Sequence, residues 1–134
     1  MITFKVEGKP RGKGRPRFTK TGHAYTDEKT QLYESLVKIR ARERMRGKLP
    51  IKEEVSIVII ARYAIPQRDS KKLRERKIDK EIRPTVKPDI DNVVKAILDG
   101  MNGIVYSDDK QVTMLSAIKE YSEEPCVMVN ISER

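Results

Sequence analysis

The chain has no tryptophan, one cysteine and one histidine in 134 residues. A single thiol, Cys126, excludes an internal disulfide and any cysteine-built zinc site. The run around it reads as a strand, which makes it a small core residue. The lone His23 excludes a histidine-rich metal centre and reads as an incidental loop residue. Long apolar runs are missing as well. The longest, Ile57–Ala61, has the length of a strand and falls far short of a membrane span. The N-terminus carries no leader pattern. These absences predict a cytoplasmic protein with no membrane partner. Aromatic residues make up only 5%, and hydrophobic residues, at 37%, merely equal the charged ones. So lean a core fits a small two-layer fold whose surface is widely solvated or covered by a partner.

What is present in quantity is positive charge. Lysine and arginine number 29 against 20 aspartates and glutamates, for a net charge of +9. That balance favours an anionic partner, nucleic acid first. The bland alternative is a basic protein with no such role. The length suits one domain, and the sequence shows no repeat or linker.

Ile2–Glu7 alternates apolar and polar residues and predicts a half-buried strand. Residues 8–26 then carry four glycines, two prolines and six cations without an acid. The cations are Lys9, Arg11, Lys13, Arg15, Arg17 and Lys20. Glycine and proline predict a long basic loop here instead of a regular element. A helix is expected from Thr26–Asp27, which offer capping side chains, to about Met45. Its apolar stripe is read as Leu32, Leu36, Ile39 and Met45, with Tyr33 and Val37 beside it. The basic C-terminal half of that helix fits a DNA-facing surface and a solvated helix end equally well. Val55–Tyr63, rich in β-branched residues, predicts a central strand.

Asp69 or Ser70 is placed to cap a short helix reaching about Lys80. Arg68–Lys87 forms a second basic cluster. Its Lys71 and Lys72 read equally as DNA contacts or as a solvated helix face. A further main helix is expected from about Asp91 to Met101, with Val94, Ile97, Leu98 and Met101 inward and Asn102-Gly103 as its stop. Lys110–Tyr121 and Cys126–Ser132 read as a hairpin. The predicted fold is α+β: a small mixed or antiparallel sheet of about four strands, with two main helices mostly on one face.

Chemistry concentrates in Lys87–Val112, KPDIDNVVKAILDGMNGIVYSDDKQV. It holds five aspartates and no glutamate: Asp89, Asp91, Asp99, Asp108 and Asp109. Short carboxylates gathered in a basic protein repel one another unless a cation sits among them. Hard oxygen ligands suit Mg2+, with Mn2+ as a substitute. Asp89 and Asp91 point to one side if the approach to the helix is extended. A cation there would oppose the positive end of the helix dipole. Asp91, Lys95 and Asp99 follow at i, i+4 and i+8, along one line of the helix. Asp91–Lys95 reads equally as an ordinary surface ion pair or as part of a metal site. Asp108 and Asp109 return beside the helix start only if Ile104–Tyr106 run back along it. One of the pair then completes the site and the other supports it. Carboxylate-held metal next to two basic clusters predicts phosphodiester hydrolysis, with Lys95 either positioning the attacking water or neutralising transition-state charge.

These residues resemble the RusA family of Holliday-junction resolvases. The family pattern K-P-D-x-D-N-x-x-K-x-x-x-D is matched by Lys87, Pro88, Asp89, Asp91, Asn92, Lys95 and Asp99. Its N-G turn and D-D-x-Q-V are matched by Asn102-Gly103 and by Asp108, Asp109, Gln111 and Val112. The basic loop resembles the family's G-x-P-x-x-x-x-R-P-R segment through Gly8, Pro10, Arg15, Pro16 and Arg17. Shorter members lack much of Gln67–Thr85.

The resemblance implies a homodimeric, Mg2+-dependent endonuclease that cuts four-way DNA junctions by paired symmetric nicks in recombination and repair. It also implies a prophage setting. Asp89, Asp91 and Asp109 match the family's catalytic carboxylates and Lys95 its lysine, while Asn92, Asp99 and Asp108 match supporting positions. Lys9, Arg11, Lys13, Arg15, Arg17, Lys71, Lys72 and Lys87 are the expected DNA contacts. Two alternatives stay open: a structure-selective nuclease without junction specificity, and a non-catalytic junction-binding module.

Overall fold

A computed structural model describes residues 1–14, 17–25 and 28–133. Four strands make one mixed sheet: β1 (Ile2–Glu7), β4 (Val55–Ala64), β5 (Val112–Ser122) and β6 (Cys126–Glu133). Their order is β1-β6-β4-β5, with β5 parallel to β4 and the other pairs antiparallel. Among the described residues, three α-helices accompany the sheet: α1 (Glu28–Met45), α2 (Lys71–Ile78) and α3 (Ile90–Met101). The fold is α+β, as the element order predicts.

The hairpin expected of the last two strands does not form, because β4 lies between β5 and β6. The reason is burial. Val55, Ile57, Ile59, Ala61 and Tyr63 are all buried along β4, so its place is the sheet interior, paired on both edges. Residues 123–125 carry the chain across the end of β4 instead of turning it tightly.

α1 and α3 pack on the face of the sheet that carries Phe4, Val6, Ile57, Ile59, Val127 and Val129. The inward line of α1 is Tyr33, Val37, Ala41 and Met45, at strict i+4 spacing. It replaces the expected Leu32–Leu36–Ile39 stripe: Leu32 and Ile39 are exposed, and Leu36 is half-buried. α3 buries Val93, Ala96, Ile97, Gly100 and Met101, with Val94 and Leu98 packed at the margin. The two helices meet closely at Gly100, where an added Cβ would stand 2.5 Å from Val37 Cγ1.

The basic loop holds one regular feature that its glycines and prolines argued against. β2 (Arg17–Phe18) pairs with β3 (Ala24–Tyr25) as a two-residue antiparallel ribbon. The expected cap at Thr26–Asp27 lies outside the described residues. α2 forms where expected, and Ser70 Oγ caps it by accepting from the Leu73 N–H at 3.2 Å. After α3 the chain turns at Gly103, whose φ of +80° suits glycine. Among the described residues, no helix is long and apolar enough to cross a membrane.

Candidate functional site

The amphipathic pattern of α3 fixes what it shows to solvent. With Val93, Ala96, Ile97, Gly100 and Met101 inward, Asp91 and Lys95 are left exposed on the outer side. Asp89 is the N-cap residue, with extended backbone angles of −66° and 147°. Its carbonyl accepts from the Asn92 and Val93 N–H groups, both at 3.1 Å. Its carboxylate makes no capping hydrogen bond, although aspartate commonly does so at this position. Among the described residues, neither Asp89 nor Asp91 forms an ion pair, and Lys95 pairs with neither Asp91 nor Asp99.

Asp99 has a different employment. Its Oδ2 lies 2.5 Å from Lys13 Nζ, which also stands 3.3 Å from Glu34 Oε1 of α1. The Asp99 carboxylate holds the Lys13 ammonium above the ordinary lysine range; partial burial opposes this and Glu34 adds to it. The Lys13 N–H donates to the Asn92 carbonyl at 3.0 Å. Gly12 lies flat against the start of α3, where a Cβ would stand 2.8 Å from Asn92 Cβ. Lys13, Asp99 and Asn92 therefore dock the basic loop onto the aspartate-bearing helix. Between this loop and residues 87–92 lies a cleft of about 460 Å³, lined among others by Arg11, Lys87, Asp89 and Asn92.

Asp108 and Asp109 follow the turn after α3 in the chain, at the start of a short 3-10 helix, Asp109–Gln111. Ile104–Tyr106 form a turn with Val105 and Tyr106 buried, not an extended return. Tyr106 donates its hydroxyl to the Leu98 carbonyl at 3.0 Å. Asp108 Oδ1 accepts from the Lys110 N–H at 3.1 Å, and Gln111 Oε1 accepts from the Asp108 N–H at 2.8 Å. These two bonds form a reciprocal cap. Asp109 stays exposed. Its carboxyl is pushed up, first by the hydrogen bond it shares with Asp108, then by slight burial and the neighbouring charges of Asp108 and Asp99. The Asp108 carboxyl is held down, first by the Lys110 N–H and then by Asp109.

Among the other expected DNA contacts, Lys9, Arg11, Lys71, Lys72 and Lys87 are exposed. Arg15 and the side chain of Arg17 lie outside the described residues.

The protein family model described as "Endodeoxyribonuclease RusA" matches residues 7–132. The chain belongs to the RusA endodeoxyribonuclease family. It is also 37% identical over 137 residues to a Bacillus subtilis (strain 168) protein named "Uncharacterized protein YqaN", covering 98% of this chain and 96% of that one.

For a RusA-family nuclease, the donor set can be tested against a divalent cation. Among the described residues, no three His, Cys, Asp or Glu side chains converge into a ready-made metal cluster. Mg2+ does not need one. It is commonly held by one or two carboxylates, with waters and substrate phosphates completing its octahedron. Asp89 and Asp91, hard oxygen donors with no ion-pair partner among the described residues, fit that requirement.

Loop docking has a direct consequence in this family. Gly12→Ala puts a Cβ 2.8 Å from Asn92 Cβ and 3.0 Å from Pro88 Cβ. One of these neighbours has to shift, and overpacking of this kind costs about 1–3 kcal/mol. The expected result is roughly a tenfold loss of cleavage, a factor worth about 1.4 kcal/mol. Thermal melting should move by only a few degrees, because the clash lies at a surface loop. A cleavage assay beside a melting curve checks both.

Two residues of this region gave no sign of themselves in the sequence. Glu34 sits in a helix read only for its apolar stripe. Tyr63 reads as the last residue of a core strand, yet its hydroxyl donates to the Pro88 carbonyl at 2.6 Å, one residue before Asp89. No local pattern points to either contact.

Proposed function

We propose that this chain is a Mg2+-dependent Holliday-junction resolvase that works as a homodimer and makes paired, symmetric nicks. The observation that carries the reading is the pair of exposed carboxylates at the start of α3. Asp89 and Asp91 have no ion-pair partner among the described residues, and Asp89 lines the cleft beside Arg11 and Lys87. Asp109 is the third proposed ligand on the family pattern alone, since no three such carboxylates converge among the described residues. When bound, the cation supplies activated water and stabilises the leaving oxygen, and Mn2+ serves as a substitute.

The chain's own residues do the rest. Arg11, Lys87 and Lys9 draw the sugar-phosphate strand to the cleft. Lys71 and Lys72 extend that basic surface along α2. Lys95, free of an intrahelical partner, neutralises charge that builds on the phosphate. Asn92, Asp99 and Lys13 keep the loop seated.

Two equivalent strands at a four-way junction call for two equivalent sites, and a two-fold dimer provides them. The edge strand β5 offers a surface for that dimer. Met114 is 56% exposed, Leu115 44% and Ile118 38%, a density of exposed large apolar residues that favours coverage by a second copy. A dimer also doubles the net charge of +9, which makes junction binding fall steeply with salt.

The deciding experiment compares nicking of a synthetic four-way junction with that of linear duplex and flap substrates in Mg2+, with the molar mass of the complex measured by sedimentation. The expected result is paired nicks on the junction alone, by a complex with two protein chains. Equal cutting of all substrates indicates a nuclease without junction specificity. Tight binding with no cutting in Mg2+ or Mn2+ indicates a binding module.

A further inference from the structure

The segment between β4 and α3 carries nine cations from Arg68 to Lys87; most are exposed, but Lys77 is buried and three of them contact β5. Lys77 Nζ lies 2.5 Å from Asp69 Oδ2 and 4.6 Å from the centre of the Tyr121 ring. Lys80 Nζ lies 3.2 Å from Glu120 Oε2. An Arg83 guanidinium nitrogen donates to the Lys119 carbonyl at 2.9 Å. Lys77, Lys80 and Arg83 thus lash the segment to three successive residues of β5: Tyr121, Glu120 and Lys119. The far end of the lashing reaches the site. Lys119 Nζ donates to the Val86 carbonyl at 2.6 Å and stands 4.7 Å over the Tyr63 ring. Tyr63, buried at the end of β4, donates its hydroxyl to the Pro88 carbonyl at 2.6 Å.

We propose that Tyr63 and Lys119 are positioning residues that aim Asp89 by gripping the carbonyls of Pro88 and Val86. The next residue after the gripped Pro88 is Asp89, whose carboxylate has no capping bond to orient it. Its direction is then set by the backbone that enters α3. Two donors from adjacent strands of one sheet fix that backbone from below. A rigid sheet is a better mount for a metal ligand than a loop. The Tyr63 hydroxyl is suited to the task because it stays protonated. Burial first, and the Asp89 charge second, push its pKa up to about 12. The ammonium of Lys119 over the ring adds a cation–π contact. Residues 68–88, on this account, serve first as a strap for Asp89. Their DNA contacts come from the exposed Lys71, Lys72 and Lys87.

This inference rests on the reading of Asp89 as a metal ligand, and the experiment separates the two. Mn2+ binding is measured by calorimetry on the DNA-free protein for wild type, Tyr63→Phe, Lys119→Met, Lys119→Arg and Asp89→Asn. Junction binding and melting temperature are followed in parallel. Tyr63→Phe keeps the ring and removes only the grip on Pro88. It is expected to weaken Mn2+ binding about tenfold, the lower range for partners that orient a ligand. The Mg2+ concentration for half-maximal cleavage should rise to match. Junction affinity should stay within about twofold, because no phosphate contact is lost. Lys119→Met should behave alike and Lys119→Arg should retain most of the affinity. If Tyr63→Phe fails to fold, Lys119→Met carries the same readout from a less buried position. Wild-type Mn2+ affinity in both Tyr63→Phe and Lys119→Met, with Asp89→Asn having lost it, overturns the positioning roles. Wild-type Mn2+ affinity in Asp89→Asn overturns the ligand reading, and the inference with it.

Discussion

Asp91→Asn is expected to abolish junction cleavage while the junction stays bound as tightly as before, or more tightly. The substitution keeps the shape of the side chain and removes its charge. Asp91 is exposed in the first turn of α3 and has no ion-pair partner among the described residues, so its loss should cost the fold little. A carboxylate in the first turn also favours the helix dipole by only about 0.3–1 kcal/mol. The catalytic cost is of another order. A metal ion in phosphoryl transfer supplies several kcal/mol, so cleavage should fall by at least about a thousandfold. Binding moves the other way because one negative charge near the phosphates has gone. Cleavage rates and a gel-shift titration in Ca2+ measure the two effects separately. Cleavage near the wild-type rate would sink the assignment of Asp91, and a parallel loss of binding would mean that the residue shapes the DNA surface instead.

Much of this arrangement is written locally. The β-branched run 55–63 alternates buried residues as a central strand must, and α3 starts and stops within a residue or two of its sequence signals. The Asp89–Asp91 pair and its position at a helix start follow from the same stretch. What escapes local reading is pairing over distance. β5 and β6 are close in sequence and look like a hairpin, yet β4, buried along one whole face, outcompetes a direct pairing by lying between them. On α1, two stripes of equal apolar quality compete. Tyr33-Val37-Ala41-Met45 wins because Val37 meets a glycine on α3, a fact no periodicity contains.

Charge is the least legible quantity of all. A lysine in a glycine-rich basic loop looks like a DNA contact, and Lys9 and Arg11 are exposed. Lys13 has the same neighbours in sequence, but its ammonium is held by Asp99, 86 residues away. Nothing near either residue announces the pair. The same applies to Lys77, whose ammonium is shared between Asp69 and the face of Tyr121. A basic composition predicts an anionic partner for the whole protein. Which cations are free to meet that partner depends on a tertiary fold that has already claimed some of them.

Gly100→Ala is expected to destabilise the protein by about 1–3 kcal/mol, against the intrinsic preference of its helix. In an isolated helix, alanine is better than glycine by about 1 kcal/mol. Here the new methyl would stand 2.5 Å from Val37 Cγ1, 2.6 Å from Val37 Cβ and 3.4 Å from the Glu34 carbonyl. Val37 is fully buried, so it has no open side to retreat into, and overpacking of a tight core outweighs the propensity gain. The displacement should also reach the site, because Glu34 and Asp99 each stand within one helical turn of this contact and together hold Lys13. Pushing α1 away from α3 separates the two carboxylates and loosens the loop they anchor. Urea unfolding measures the stability loss, and cleavage measured well below the melting temperature should fall with it. Adding Val37→Ala removes the Cγ1 that meets the new methyl but leaves Cβ, 2.6 Å away, so it should recover only part of the loss, leaving a coupling energy that a double-mutant cycle can read. A Gly100→Ala protein as stable as wild type would mean that α1 and α3 can part without cost. In that case this helix contact would not be what holds the loop anchor in register with the aspartates.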